Sequence, residues 1–436
     1  GNIRLEFILF GLVLLGVALF HHKTFYVALT GFIVILIYKL VFDAHFHLGE
    51  HFFGTLPFSE QLLDKHNRQG EWPIVLNLLG LLLGFAMLAK TFEDSGVPDI
   101  LPKFLPSGWK GPFVLLFFVF ILSAFLDNIA AALIGGTIAL VVFKRKIHIG
   151  YIAAIVAASN AGGAGSVVGD TTTTMMWIDG VSAINVLHAF IASITALAFF
   201  GWFASHQQFK LQGVVKAESY NVKIDWTRIL IVAFILIGAI LTNVFFDLPA
   251  LGVWIAILIG AVIRKAPWHE LKASLLGAIF LICLVMCASM MPVETLPDAS
   301  EMTAFVLGFV SAVFDNIPLT KLCLEQGHYD WGLLAYAVGF GGSMIWFGSS
   351  AGVAISSRIP EARNVGLWIR KGWHVAFAYI IGFAVLYVIW GWDPADNRKH
   401  TEPAINCKYP NCKNALDAKK EAEAAKLIEN NENPAE

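Results

Sequence analysis

The chain has 436 residues and a net charge of −2; 57% of it is hydrophobic and only 14% charged. A soluble protein of this size carries about a quarter charged residues, so an ordinary soluble domain is excluded. The balanced charge offers nucleic acid no polycationic face. Apolar residues come in blocks: 3–20, 25–42, 229–246 and 375–392 each approach the ~20 residues that cross a bilayer. The reading is an all-α polytopic membrane protein.

The chain opens at Gly1 with neither Met nor a basic n-region, which predicts that a signal peptide or leader upstream has been removed. In chain order, helices are predicted near 3–20, 25–42 and 72–89, with the His-rich segment 43–71 as an outer loop carrying an amphipathic surface helix. The apolar run 112–143 is too long for one span and too short for two, which need about 40 residues. Asp127-Asn128 lies at its middle, so two half-depth helices meeting at a polar tip are expected. Broken backbone at membrane depth is tolerated where it lines a protein cavity. Next come a span at 150–178 interrupted by glycines, another at 183–204, a polar loop, and spans near 229–246, 249–263 and 271–291.

The pattern then recurs. The run 302–326 carries Asp315-Asn316 at its middle, 331–357 is again interrupted by glycines, and 374–392 closes the set. The words repeat too: Ser123-Ala124-Phe125-Leu126-Asp127-Asn128-Ile129 against Ser311-Ala312-Val313-Phe314-Asp315-Asn316-Ile317. Corresponding interrupted segments in two halves are the sequence sign of a transporter's central site. Five spans separate the two tips, and an odd number places the second hairpin on the opposite side of the membrane. The expected fold is therefore an inverted repeat with two re-entrant hairpins and two interrupted helices. Its divisions are 1–71 (N-terminal helices and outer loop), 72–204 (first repeat), 205–248 (connection), 249–392 (second repeat) and 393–436 (polar tail).

Placing Lys144-Arg145-Lys146 in the cytoplasm also puts Arg228, Arg264, Arg358, Arg363, Arg370 and Lys371 there, with Glu294, Asp298 and Glu301 opposite. This satisfies the positive-inside rule and makes the tail non-cytoplasmic. Cys407 and Cys412 would then face an oxidising compartment, where a small disulfide loop is expected. Cys283 and Cys287, one turn apart in an apolar run, read as packing residues. A plasma membrane location, in a bacterium the inner membrane, is expected, with a protein partner for the tail as a further possibility.

An ionised Asp at the bilayer centre costs about 2.5–3.5 kcal/mol on insertion scales, so Asp127 and Asp315 call for a ligand, partner or proton. Asn128 and Asn316 add an amide donor and a carbonyl oxygen at each tip. A third cluster runs from Ser159-Asn160 through Gly162, Gly163 and Gly165 to Asp170 and Thr171–Thr174. Glycines there, and Gly341-Gly342 before Ser343 in the second half, are expected to unwind the helix and free carbonyls. With Asp170, Thr172 and Thr173 they make the oxygen set that a small hard cation needs. Gly and Thr also serve plain helix packing in membranes. That reading explains less well an Asp set between a glycine break and a threonine run.

Asn160-Ala161-Gly162-Gly163, then Gly169-Asp170 and threonines, resembles the signature of NhaD-type sodium/proton antiporters, within an ion transporter superfamily that includes arsenite and dicarboxylate carriers. Asp315-Asn316-Ile317-Pro318-Leu319-Thr320, Gly341-Gly342-Ser343 and Gly348-Ser349-Ser350-Ala351-Gly352 match the second half, and the likeness spans roughly 72–392. The resemblance implies ion- and proton-binding roles for Asp127, Asn128, Asn160, Asp170, Thr172, Thr173, Asp315, Asn316 and Ser343. It also implies paired re-entrant hairpins, a homodimer, and transported Na+ or Li+ and H+ with no bound cofactor. Ala130-Ala131-Ala132 stands where the family has hydroxyl residues, and Val167-Val168 where it often has a proline; the missing hydroxyls beside Asp127 leave the choice of cation open.

The expected mechanism is exchange: cation and protons compete for the same carboxylates in a cavity opened alternately to either side. Histidines at 45, 47, 51, 188 and 374 read as interfacial or solvated rather than as a metal or pH-sensing site. The alternatives are a carrier of an anion or arsenite on the same scaffold, and a non-transporting subunit that docks a partner through its tail. Without a nucleotide loop, a His-Glu-x-x-His or a nucleophile elbow, the sequence does not read as an enzyme.

Overall fold

The computed structural model describes residues 4–20, 23–215 and 223–397, and among them every regular element is a helix. Cys407 and Cys412, with the expected tail helix near 415–427, lie outside the described residues. Helix α1 (Leu5–Leu19) packs on α2 (Thr24–Phe42), and α2 continues onto α15 (His269–Ser289). Phe10, Val13, Ala28 and Ile35 share a small core there with Cys283 and Cys287, the packing role expected of those thiols. The outer loop forms two six-residue helices, α3 (Leu48–Phe53) and α4 (Phe58–Leu63), in place of a single amphipathic one.

Helix α5 (Trp72–Glu93) starts at a Pro in its first turn, which needs no amide partner there. It is followed by a single turn, α6 (Val97–Ile100). Helices α7 (Lys110–Ser123) and α8 (Asn128–Val142) pack on each other across the turn 124–127. Then α9 (Ile149–Ala164) and α10 (Thr171–Ile178) are separated by an irregular stretch, and α11 (Ala183–Leu187) leads into α12 (Ala189–Leu211). The connection is made by α13 (Trp226–Phe246), which Asp225 caps through Thr227 N at 3.1 Å, and by α14 (Pro249–Ile263).

The second half follows the same order. A Ser300/Thr303 capping box starts α16 (Glu301–Ser311), and α17 (Asn316–Gln326) returns from the turn 312–315. Helices α18 (Trp331–Gly341) and α19 (Ser350–Arg358) flank a second irregular stretch, and α20 (Val365–Lys371) and α21 (Trp373–Trp390) complete the fold. Among the described residues, six segments are long and apolar enough to cross a membrane: α2, α5, α11–α12, α13, α15 and α21.

The two halves agree in detail. Asp127 and Asp315, just before α8 and α17, have backbone angles of −54°, 142° and −55°, 138°. Asp170 and Ser349, before α10 and α19, have −143°, 146° and −142°, 153°. Ser123 Oγ donates to Ser159 O at 2.5 Å, tying α7 to α9, and Ser311 Oγ donates to Val338 O at 2.6 Å, tying α16 to α18. Interhelical bonds of this kind contribute about 0.6–2 kcal/mol each in membranes. The halves also interlock, with α10 lying against α17 and α19 against α8.

The glycine expectation needs correction. Helix α9 runs unbroken through Gly162 and Gly163 to Ala164, and α18 runs through Gly341; the unwound stretches begin at Gly165 and Gly342. The helical glycines serve close approach. A Cβ on Gly162 would overlap the carbonyl of Phe120, one on Gly341 the carbonyl of Gly308, and one on Gly163 would stand 2.7 Å from Gly169 O. They let α7 and α16 press backbone to backbone on the broken helices.

Candidate functional site

A cavity of about 660 Å³ enters the molecule between the two halves. Leu78, Leu81 and Phe85 of α5 form one wall, and Asp127, Asn128, Asp170, Thr171, Thr174 and Asn316 line its depth. Its rim carries Lys90, Glu93, Asp99, Glu270 and Arg358, of which Glu93, Asp99 and Arg358 are exposed.

The three carboxylates reach this region by one device. Each stands at the N-terminus of a half-helix: Asp127 before α8, Asp170 before α10 and Asp315 before α17. The unpaired amides and the dipole of a helix N-terminus favour negative charge. Asp315 Oδ1 accepts from Ile317 N at 3.0 Å, while both Asp127 and Asp315 lie within electrostatic reach of Asp170. The turn chemistry explains the placement, because Asp is a preferred cap and the following run of small or apolar residues restarts a helix.

Around Asp170 the polar groups form one chain. Asn128 Nδ2 donates to Asn160 Oδ1 and to Asp170 Oδ1, both at 3.0 Å. Asn160 Nδ2 donates to Ser343 Oγ at 2.9 Å, joining the first break to the second. Thr172 Oγ1 donates to Asp170 Oδ2. Thr173 Oγ1 lies 2.6 Å from Ser166 O and Thr174 Oγ1 2.9 Å from Val167 O, so these two hydroxyls cap the carbonyls freed by the break. Asn160, Thr172, Thr173 and Ser343 have no exposed surface, whereas Asp127 and Asp315 are only partly buried.

The structure thus gathers Asp127, Asn128, Asn160, Asp170, Thr172, Asn316 and Ser343 into one neighbourhood. Thr173 faces the broken backbone instead, and Asp315 caps α17 beside the cavity-lining Asn316. Amides and hydroxyls are the partners of Asp170 and Asp315, and among the described residues no Lys or Arg forms an ion pair with Asp127, Asp170 or Asp315.

Sequence reasoning did not foresee the rim, where Arg358 Nη1 donates to Thr137 Oγ1 at 2.8 Å and so links α19 to α8. Nor did it foresee Lys321, fully buried on α17 between Glu71 and Glu325. The polar heptad-like spacing of Lys321 and Glu325 at i and i+4 was the available signal for half of that pair. Of the histidines, His188 Nε2 lies 2.8 Å from Asp330 Oδ1 with its ring stacked on Trp390, and His51 Nε2 lies 3.0 Å from Ser289 Oγ.

Broken helices in two matching halves around a central cavity are the architecture expected of a membrane transporter. The profile of the citrate transporter family matches residues 5–341, and the chain belongs to that family. It is 28% identical over 332 residues to Sodium/proton antiporter 1 of Arabidopsis thaliana, covering 63% of this chain and 55% of that protein. Sodium/proton antiporter 2 of the same plant is 27% identical over 310 residues, or 61% and 73% of the two chains. The Na(+)/H(+) antiporter NhaD of Alkalimonas amylolytica is 25% identical over 332 residues, or 62% and 65%. The matched region thus spans 55% to 73% of the length of these relatives. The resemblance to sodium/proton antiporters read in the motifs stands in these matches.

Proposed function

We propose that this transporter exchanges a small monovalent cation, Na+ or Li+, for protons by alternating access, with Asp127, Asp170 and Asp315 as the shared carboxylates. The observation that carries this is the convergence of three carboxylates, each at a half-helix N-terminus, on one region: Asp127 and Asp170 line the cavity and Asp315 stands beside it, and among the described residues no Lys or Arg is ion-paired with them. Such a set needs a cation or protons to balance it. A bound cation favours the ionised carboxylate and burial the neutral one, so loading an ion releases a proton. The names of the three relatives favour the same exchange.

Two features support access by an inverted repeat. Helix α8 leads from its tip to Thr137, beside Arg358 at the cavity rim, while α17 leads from its tip to Lys321, beside Glu71. Glu71 and the rim residue Glu93 bracket the 22 residues of α5, about 33 Å of helix. The two hairpins therefore extend toward opposite ends of α5, as re-entrant hairpins from opposite faces would. With the basic segments inside, the cavity faces the cytoplasm and the tail lies outside. A bacterial inner-membrane location and a homodimer complete this reading.

The test is proton flux in proteoliposomes against Na+, Li+, K+ and citrate. Cation-driven proton movement is expected, abolished by Asp170→Asn. Full exchange in both Asp127→Asn and Asp315→Asn would sink the assignment. The family's description favours a second reading, carriage of a citrate-like anion, with Lys90 and Arg358 at the rim as its attraction. Flux driven by citrate and indifferent to Na+ and Li+ would select it.

A further inference from the structure

Beyond the cavity, the molecule holds a cation with no exposed surface that the exchange reading does not use. Lys321 Nζ lies 2.8 Å from Glu71 Oε2 and 2.6 Å from Glu325 Oε1, and its side chain has no exposed surface. Asp179 is the third carboxylate within its electrostatic reach, and Asp179 Oδ2 accepts from Asn397 Nδ2 at 2.5 Å. These groups come from separate elements: Glu71 precedes α5, Lys321 and Glu325 belong to α17, and Asp179 follows α10.

The placement matters because of what lies at the other ends. Helix α17 starts at Asp315-Asn316 and α10 at Asp170-Thr171, so both ligand-bearing half-helices end in this cluster. The cavity rim at Glu93 is a whole α5 length away from Glu71. A fully desolvated ammonium is tolerated only while its carboxylates stay in contact, and removing one partner leaves a buried charge uncompensated. Keeping this cluster dry therefore depends on holding Glu71 and Glu325 against Lys321.

We propose that Lys321 is the positioning residue of the exchange: it clamps the far ends of α10 and α17 to α5, sealing the face opposite the cavity mouth. Opening that face requires water to reach Lys321 and release Glu71 or Glu325. The proposal rests on the alternating-access reading, but its test does not depend on transport.

The test uses the full chain with its five cysteines replaced and a Leu133→Cys reporter on the cavity wall, in vesicles of each orientation. A membrane-impermeant maleimide should label the reporter from the mouth side in every variant. Lys321→Met, Glu71→Gln and Glu325→Gln should each raise labelling from the opposite face roughly tenfold, a modest shift of a two-state equilibrium. Lys321→Arg, which keeps the charge, should restore the original pattern. Flux on the same vesicles reads the exchange separately, so absence of antiport with altered labelling would sink the functional reading and leave the seal standing. Monodisperse, folded variants labelled from the mouth side alone at unchanged rates would overturn the proposal. So would failure of all three to fold, which would make Lys321 a folding residue rather than a seal.

Discussion

Asn128 Nδ2 lies 3.0 Å from Asp170 Oδ1, whereas Asn316, its counterpart in the second hairpin, has a buried Nδ2 with no hydrogen-bond partner among the described residues. The difference follows from composition. At the positions of Asn160, Asp170 and Thr172 the second half has Gly339, Ser349 and Ala351. The backbone is duplicated, but the polar ligand set is built once.

The two asparagines should therefore respond differently to truncation. Asn128→Ala leaves Asp170 Oδ1 and Asn160 Oδ1 without their shared donor, a loss of about 1–3 kcal/mol for buried groups. Asn316→Ala removes an amide nitrogen that has no partner and should cost less. Thermal unfolding in detergent should show a clearly larger drop for Asn128→Ala; equal drops would refute the asymmetry.

Gly339 supplies space where the first half supplies Asn160. A Cβ there would stand 3.4 Å from Asp170 Oδ2 and 4.0 Å from Thr172 Oγ1, ordinary contact distances. Gly339→Ala should fold normally yet crowd any cation held by Asp170. The expected result is a several-fold weaker apparent affinity for Na+, with Li+ affected less, since the added methyl penalises the larger ion more. The measurement is the cation dependence of proton flux, and an unchanged ratio of the two affinities would count against a site beside Asp170.

Gly162 offers a contrasting substitution. Its Cβ would overlap the Phe120 carbonyl, a backbone atom that cannot swing aside. Gly162→Ala should destabilise the protein by about 1–3 kcal/mol, the usual cost of overpacking. Gly277→Ala, which meets nothing within 4 Å, should be neutral. Unfolding midpoints of the two variants compare them directly.

Much of this was legible in the sequence because it is local. A carboxylate before a helix restart, a Ser four residues earlier, and glycines ahead of a threonine run are all short-range signals, and they led to Asp127, Asp170 and Asp315. The glycines were misread because close backbone approach and unwinding leave the same letters; only the position of Phe120 O or Gly308 O distinguishes them. Lys321 was missed for a different reason. It lies in an apolar run with one local partner, Glu325, and its second partner, Glu71, belongs to a loop far away in sequence. The rim residue Arg358 likewise gains its meaning only from Thr137 on another helix.

One ionisable group outside the spanning helices gives a pH signature. His148 sits in the turn before α9, half-buried, and its Nδ1 accepts the Gly150 amide at 3.2 Å. Burial first, and the nearby Lys371 second, hold its imidazole below the ordinary value. In the unfolded chain a histidine titrates near about 6.5, so below that pH the unfolded state binds a proton that the folded state resists. The stability that the neutral ring contributes is then fully present above about 6.5 and is lost as pH falls toward the lower folded value. Protonation would also remove the Nδ1 acceptor and so uncap α9. His148→Asn keeps an oxygen acceptor and cannot titrate. Between pH 7.5 and 5.5 the native protein's unfolding midpoint should fall further than that of His148→Asn, and parallel curves for the two would show that His148 does not carry the effect.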